Sequence, residues 1–259
     1  MTTEHARGPA AKVAIVTGGS RGLGRSTVLN LASRGVSSIF TYRANRTEAE
    51  KVVSLVEAEG QRAVALPLDT GRAETFGVFA GRAGEALAKL GAARFDYLVN
   101  NAGISHHAPF GQVTMEELDN LYNVHFKGVF FLTQRLLPLI NDGGRIVNIS
   151  SGLTRITFPG SAAYGSMKGA VEVLTRYLAL ELGPRRIAVN TVAPGAIATD
   201  FSGGMVRDNP EMNKRVAQST ALGRAGLPDD IGPMIAALLS DDNRWVNAQR
   251  IEVSGGMRI

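Results

Sequence analysis

The 259-residue chain reads as an α/β protein, a doubly wound parallel sheet of about seven strands with helices on both faces. Three observations carry that reading. Short apolar, β-branched runs alternate with helical stretches along the chain. A glycine cluster follows the first of those runs directly. No internal repeat and no linker rich in Ser, Gly or Pro interrupts the alternation, so a single unit is expected over residues 12–259, preceded by a loose arm over residues 1–11.

Lys12 to Thr17 (KVAIVT) has the pattern of a buried strand, and Ser26 to Arg34 that of a helix closed by Gly35. Val36 to Tyr42 forms a second strand. Thr47 and Glu50 have capping-box spacing, opening a helix that ends near Gly60. Arg62 to Leu66 is the third strand, followed by an alanine-rich helix to Leu90, and Tyr97 to Asn100 is the fourth. A second capping box, Thr114 with Glu117, begins a long helix running to Ile140. Arg145 to Ile149 is the fifth strand. The helix Ala162 to Leu182 is stopped by Gly183 and Pro184. Ile187 to Val192, a short helix after Pro228, and Gln249 to Val253 complete the pattern. The least periodic stretch, residues 195–228, is expected to act as a substrate loop or lid, because ligands of such sheets sit outside the carboxyl ends of the strands.

Hydrophobic residues make up 44% and charged residues 20% of the chain, which suits a soluble globular protein. The absence of cysteine excludes disulfides and thiolate chemistry. The net charge of +5 is dispersed, Arg185-Arg186 being its longest run, so no nucleic-acid-binding stripe is formed. No segment approaches the roughly 20 apolar residues of a membrane span, and Met1 to Ala11 lacks the apolar centre of a signal peptide. A cytoplasmic location is expected.

Two constellations carry chemistry. The first is Thr17-Gly18-Gly19-Ser20-Arg21-Gly22-Leu23-Gly24, between a strand and a helix. Glycines bring bare N–H groups up to a phosphate, and a helix N-terminus adds partial positive charge. The segment after the second strand, Tyr42-Arg43-Ala44-Asn45-Arg46, has no carboxylate before Glu48. An acidic side chain there would hold a ribose 2′-hydroxyl, whereas Arg43, with Arg21, suits a 2′-phosphate. NADP(H) is therefore expected over NAD(H).

The second constellation is Tyr164 and Lys168, four apart on one helix face, with Ser151 thirteen residues before the tyrosine. Of the five tyrosines, only Tyr164 has a lysine four residues later. Charges about 4 Å apart at an effective dielectric near 20 interact by about 4 kcal/mol, roughly three pKa units. A nearby ammonium is thus expected to bring the phenol toward neutrality.

In these motifs the chain resembles the short-chain dehydrogenase/reductase family. Its T-G-x-x-x-G-x-G pattern is met by Thr17, Gly18, Gly22 and Gly24. Its N-N-A-G motif is met by Asn100, Asn101, Ala102 and Gly103, its Y-x-x-x-K by Tyr164 and Lys168, its serine by Ser151, and its P-G by Pro194 and Gly195. The resemblance implies a Rossmann-type fold. It also implies a cofactor site of Gly18, Ser20, Arg21, Gly22, Leu23, Gly24, Arg43, Asp69, Thr70, Asn101, Ala102, Gly103, Tyr164, Lys168, Pro194, Gly195, Ile197 and Thr199. Asp69 would contact the adenine and Thr199 the nicotinamide carboxamide. Ser151, Tyr164 and Lys168 would be catalytic: Tyr164 as acid–base, Ser151 orienting the carbonyl, and Lys168 binding the nicotinamide ribose. The family's further asparagine, aligned on Gly128-Val129-Phe130, is replaced by His125. In the family that asparagine helps hold a water that connects the lysine to solvent. Histidine is able to hold the same water and to titrate near neutrality; the alternative is a packed helix histidine that leaves the relay to backbone and water.

The implied activity is interconversion of a ketone and a secondary alcohol in a homotetramer or homodimer, with a pattern similar to 3-oxoacyl-[acyl-carrier-protein] reductases. An NAD-dependent alcohol or sugar dehydrogenase and a catalytically silent nucleotide sensor remain as alternatives. No metal is expected: His106-His107 lack a third ligand at suitable spacing and read as loop or substrate-contacting residues.

Overall fold

The computed structural model describes residues 12–259; the expected N-terminal arm lies outside them. Seven strands form one sheet in the order β3-β2-β1-β4-β5-β6-β7, and every pairing is parallel. The strands are β1 (Val13–Val16), β2 (Ser37–Tyr42), β3 (Ala63–Pro67), β4 (Phe95–Asn100), β5 (Ile140–Ile149), β6 (Ala188–Pro194) and β7 (Arg250–Val253). The order reverses between β1 and β4. That switch point opens a crevice at the carboxyl ends of both strands.

The helices are α1 (Gly22–Ala32), α2 (Arg46–Ala58), α3 (Phe76–Lys89), α4 (Met115–Tyr122), α5 (Gly128–Leu136), α6 (Ala162–Glu181), α7 (Met205–Asp208), α8 (Pro210–Gln218) and α9 (Pro228–Leu238). Period-two alternation along β1 divides them between two cores. Ala14 and Val16 face a layer holding Val28 and Leu31 of α1, Val52 and Val56 of α2, and Ile231 and Ile235 of α9. Val13 and Ile15 face Phe76, Phe79 and Leu87 of α3, Leu132 and Leu136 of α5, and Ala179 of α6.

Several boundaries differ from the sequence reading, each for a local reason. α1 begins at Gly22, inside the glycine motif, rather than at Ser26. α2 is capped by Asn45, whose side chain accepts from Glu48 N, and not by Thr47; an Asx side chain reaches that orphan N–H readily. The Thr114 capping box is present as expected. The long helix it opens is not continuous: residues Asn123–Lys127 form a π-helical turn, and Leu137–Leu139 tighten into a 3₁₀ turn at Pro138. β5 starts at Ile140 rather than Arg145. The stretch 195–228 carries α7 and α8, which its composition concealed.

Candidate active site

The crevice floor is built from the turn after β1 and the end of β4. Gly18 adopts φ +67° and Gly22 φ +54°, conformations that favour glycine. Gly24 has no room for a side chain, since a Cβ would meet the Gly18 carbonyl and lie 2.6 Å from Asn101 Nδ2. A Cβ on Gly19 would lie 2.6 Å from that of Phe40. The Asn101 side chain braces this loop by donating to Thr17 O at 2.9 Å and Gly18 O at 3.2 Å, and the Thr17 hydroxyl accepts from both Asn101 N and Ala102 N at 2.9 Å. The side chain of Asn101 therefore shapes the nucleotide loop through these bonds.

The amino end of α1 opens onto the crevice, flanked by the exposed Arg21 and, beyond the end of β2, the exposed Arg43. Arg21 Nη1 lies 3.8 Å from Asp200 Oδ2, and Arg207 binds the same carboxylate. Asp69 Oδ1 accepts from Gly71 N at 2.9 Å. The Thr70 carbonyl sits where a Cβ on Gly128 would fall, so that glycine lets α5 close on the turn after β3. On the other wall, Gly195 packs on Ser254, Ile197 pairs with Gly226, and the buried Thr199 accepts from Phe201 N at 3.1 Å. Bare glycines, a helix amino terminus, the exposed Arg43 and an Arg21 loosely paired with Asp200 fit a phosphorylated dinucleotide.

Ser151 follows β5, while Tyr164 and Lys168 project from one face of α6. Lys168 is buried, donates to Ile149 O at 2.7 Å, and its Nζ lies 5.7 Å from the Tyr164 ring centroid. Burial lowers its pKa to about 7. Burial pushes the Tyr164 phenol above its ordinary range, and the Ser151 hydroxyl pulls it the other way. The expectation that Lys168 brings the phenol toward neutrality is thus not met in this arrangement: burial dominates and carries the phenol the other way. At neutral pH the phenol keeps its proton.

His125 lies in the π-helical turn, edge-on to Tyr164 with ring centroids 5.2 Å apart. Its Nε2 is 2.8 Å from Ile104 O, and its buried Nδ1 has no hydrogen-bond partner among the described residues. Burial first, and then the neighbouring Lys168 charge, lower its pKa to about 3. The expectation that it titrates near neutrality is corrected: the imidazole stays neutral there. His106 Nε2 lies 3.4 Å from Glu117 Oε1, and the ring of His107 packs against Gly160. No group of three candidate metal ligands occurs among the described residues, and no described helix is long and apolar enough to cross a membrane.

Sequence reasoning missed the polar interior behind the site. Asn100 Nδ2 donates to Asn148 Oδ1 at 2.8 Å, and Asn148 Nδ2 donates to Thr175 Oγ1 at 2.9 Å. Paired asparagines at the ends of apolar strands were the available signal. Phe201 was also missed; it stands with its ring 6.2 Å from that of Tyr164.

Comparisons with known proteins agree with this geometry. A family described as enoyl-(acyl carrier protein) reductase matches residues 18–258. A hydroxynaphthalene reductase-like protein, Arp2, of Metarhizium brunneum is 36% identical over 98% of this chain and 97% of its own length. Among solved structures, the promiscuous reductase LugOII, which catalyses keto-reduction at C1 during lugdunomycin biosynthesis, superposes with a TM-score of 0.91 at 38% identity, covering 96% of this chain and 99% of its own. The angucycline C-6 ketoreductase LanV with bound NADP gives 0.91 at 35%, covering 98% and 99%. Matching motifs, strand order and near-complete coverage lead to one assignment: the chain belongs to the short-chain dehydrogenase/reductase family of oxidoreductases.

Proposed function

We propose that the protein reduces a ketone to a secondary alcohol with NADPH, and that the convergence of Ser151, Tyr164 and Lys168 beside the glycine-rich crevice carries this reading. Arg21 and Arg43 select the 2′-phosphate. The bound nicotinamide supplies the hydride. Tyr164, protonated at neutral pH because it is buried, donates its proton to the carbonyl oxygen as charge develops there. Ser151 orients that oxygen by hydrogen bonding, and Lys168 binds the cofactor ribose. His125 takes the place of the family asparagine, offering a neutral Nδ1 acceptor to the proton path. The reverse oxidation needs the phenolate and is favoured at alkaline pH.

Residues 195–228 act as the lid, with Phe201 near Tyr164. An aromatic side chain at this position favours a planar aromatic ketone over a linear 3-oxoacyl thioester, in keeping with the keto-reductions named for LugOII and LanV. The enzyme works in the cytoplasm as a homotetramer.

NADPH oxidation across polycyclic aromatic ketones, β-keto esters, 3-oxoacyl thioesters and enoyl thioesters tests the substrate class. Tyr164→Phe lowers kcat on the best ketone by about 1,000-fold, within the usual range for a lost general acid. A fully active Tyr164→Phe variant refutes the mechanism. Turnover confined to enoyl thioesters refutes carbonyl reduction, and a tenfold preference for NADH refutes the cofactor assignment.

A further inference from the structure

One carboxylate ties down the turn that carries Ser151. Glu172 lies on α6 four residues after Lys168 and eight after Tyr164, on the same side of the helix, with a side chain only 14% exposed. Its Oε1 accepts three hydrogen bonds: from Ser150 Oγ at 2.7 Å, from Thr154 Oγ1 at 2.7 Å, and from Arg250 Nε at 2.9 Å. Ser150 immediately precedes Ser151 and Thr154 follows it by three residues. A single oxygen therefore holds both flanks of the serine against the helix that presents the tyrosine and lysine.

Arg250, reaching in from β7, closes the arrangement. Its Nη2 lies 3.4 Å from Ser151 O and 3.1 Å from Thr154 Oγ1, and its Nη1 donates to Glu252 Oε2 at 3.1 Å. Glu252 in turn takes Arg155 in a two-pronged contact at 2.7 and 2.5 Å. Arg155, Glu252, Arg250 and Glu172 alternate in sign and sum to zero charge. Such a network is well compensated, and its members orient one another. None of the three donors to Glu172 is a reacting group, so whatever the carboxylate does for chemistry it does through the turn it holds.

We propose that Glu172 is a positioning residue, which sets the Ser151 hydroxyl against the Tyr164 phenol by clamping the Ser150–Thr154 turn onto α6, with Arg250 holding the clamp from β7. This rests on the reading of Ser151 as the group that orients the carbonyl. A displacement of about 1 Å in such a group lowers turnover by up to roughly 100-fold.

The test is a double-mutant cycle on the full-length enzyme, with kcat and KM for the best ketone and the Kd for NADPH measured in each variant. Glu172→Ala lowers kcat about 10- to 100-fold, while KM and the NADPH Kd move much less. Glu172→Gln, which keeps an acceptor oxygen for Ser150 and Thr154, loses less than Glu172→Ala. In a Ser151→Ala background the Glu172→Ala change has almost no further effect, because groups acting as a unit are not additive. Losses that multiply in the double mutant overturn the positioning role and leave only general destabilisation. A Glu172→Ala enzyme with wild-type kcat overturns it directly. If Ser151→Ala alone is fully active, the catalytic reading of Ser151 falls and the clamp falls with it. Should Glu172→Ala fail to fold, Ser150→Ala removes one of the three contacts, the 2.7 Å bond to Glu172 Oε1, and goes through the same cycle, with the same criteria.

Discussion

On the nucleotide side of the crevice the backbone shapes the site, whereas on the substrate side irregular segments and long side chains do. From the end of β1 into the first turn of α1, glycines at 18 and 22 hold positive φ and those at 19 and 24 leave no room for a side chain, and Asn101 locks the loop by bonding carbonyls. Across the crevice, Phe201 belongs to a turn in which Ser202, Gly203 and Gly204 all have positive φ. Fixed phosphates reward a rigid cradle of N–H groups; a substrate of variable outline calls for parts that vary among related folds without disturbing the sheet.

The strongest way to break this comparison is to add one methyl group on the rigid side. Gly24→Ala drives a Cβ into the Gly18 carbonyl, and overpacking of that kind costs about 1–3 kcal/mol. The expected result, read by fluorescence titration, is a loss of NADPH affinity of up to about 100-fold. Gly77→Ala in α3 is the matched control. A Cβ there meets nothing within 4 Å, and an alanine in a helix stabilises by roughly 0.5–1 kcal/mol. Equal effects of the two substitutions would mean that the cradle tolerates side chains after all.

Arg43→Ala tests the same side at its charged edge. Removing a charge-assisted contact worth about 1.5–3 kcal/mol weakens NADPH binding about 10- to 100-fold and leaves NADH binding nearly unchanged. Loss of both cofactors in parallel would show that Arg43 supports the loop instead of reading the phosphate.

The contrast also explains what was legible in the sequence. The strands, the glycine turn and the Tyr164–Lys168 pair were readable because their reasons are local: period-two apolar runs, a glycine cluster between strand and helix, a four-residue helical offset. Ser151, on another element, came from the family resemblance. The π-helical turn at Asn123–Lys127 was not, since nothing in Asn-Val-His-Phe-Lys distinguishes it from an ordinary helix; only the packing of His125 on Ile104 and Tyr164 gives it meaning. α7 and α8 were hidden because Ser202, Gly203 and Gly204 break the helical pattern before it starts. The Tyr164 and Lys168 ionisations were misjudged for a different reason. Charge attraction can be guessed from spacing, but desolvation depends on burial, which spacing does not reveal.

That desolvation has a measurable signature. Lys168 titrates at about 7 in the folded protein against an ordinary 10.5. Between those values the unfolded chain holds a proton that the folded chain has released, so stability rises with pH across the window. Urea unfolding of the wild type at pH 7 and pH 9 should show the gain, and Lys168→Met should remove it while also abolishing turnover. A wild-type stability that is flat from pH 7 to 9 would place the ammonium in a better-solvated setting than its burial implies.

His125 offers the finest discrimination, because its two possible behaviours separate in pH. A titrating imidazole would put a step in kcat/KM near its ordinary 6.5. The buried imidazole, with a pKa of about 3, remains neutral between pH 6 and 9. Profiles of wild type and His125→Asn between pH 6 and 9 should therefore have the same shape. The difference appears in stability instead: between about 3 and 6.5 the unfolded chain takes up a proton that the folded chain refuses, so acid destabilises the wild type there and the asparagine variant less. Asparagine is also shorter than the histidine that makes the 2.8 Å contact with Ile104 O, which tethers the loop over residues 104–107 expected to face the substrate. A KM for the ketone raised several-fold at unchanged profile shape would assign His125 to holding that loop; a step near pH 6.5 present in the wild type and missing from the variant would return it to the proton path as a titrating group.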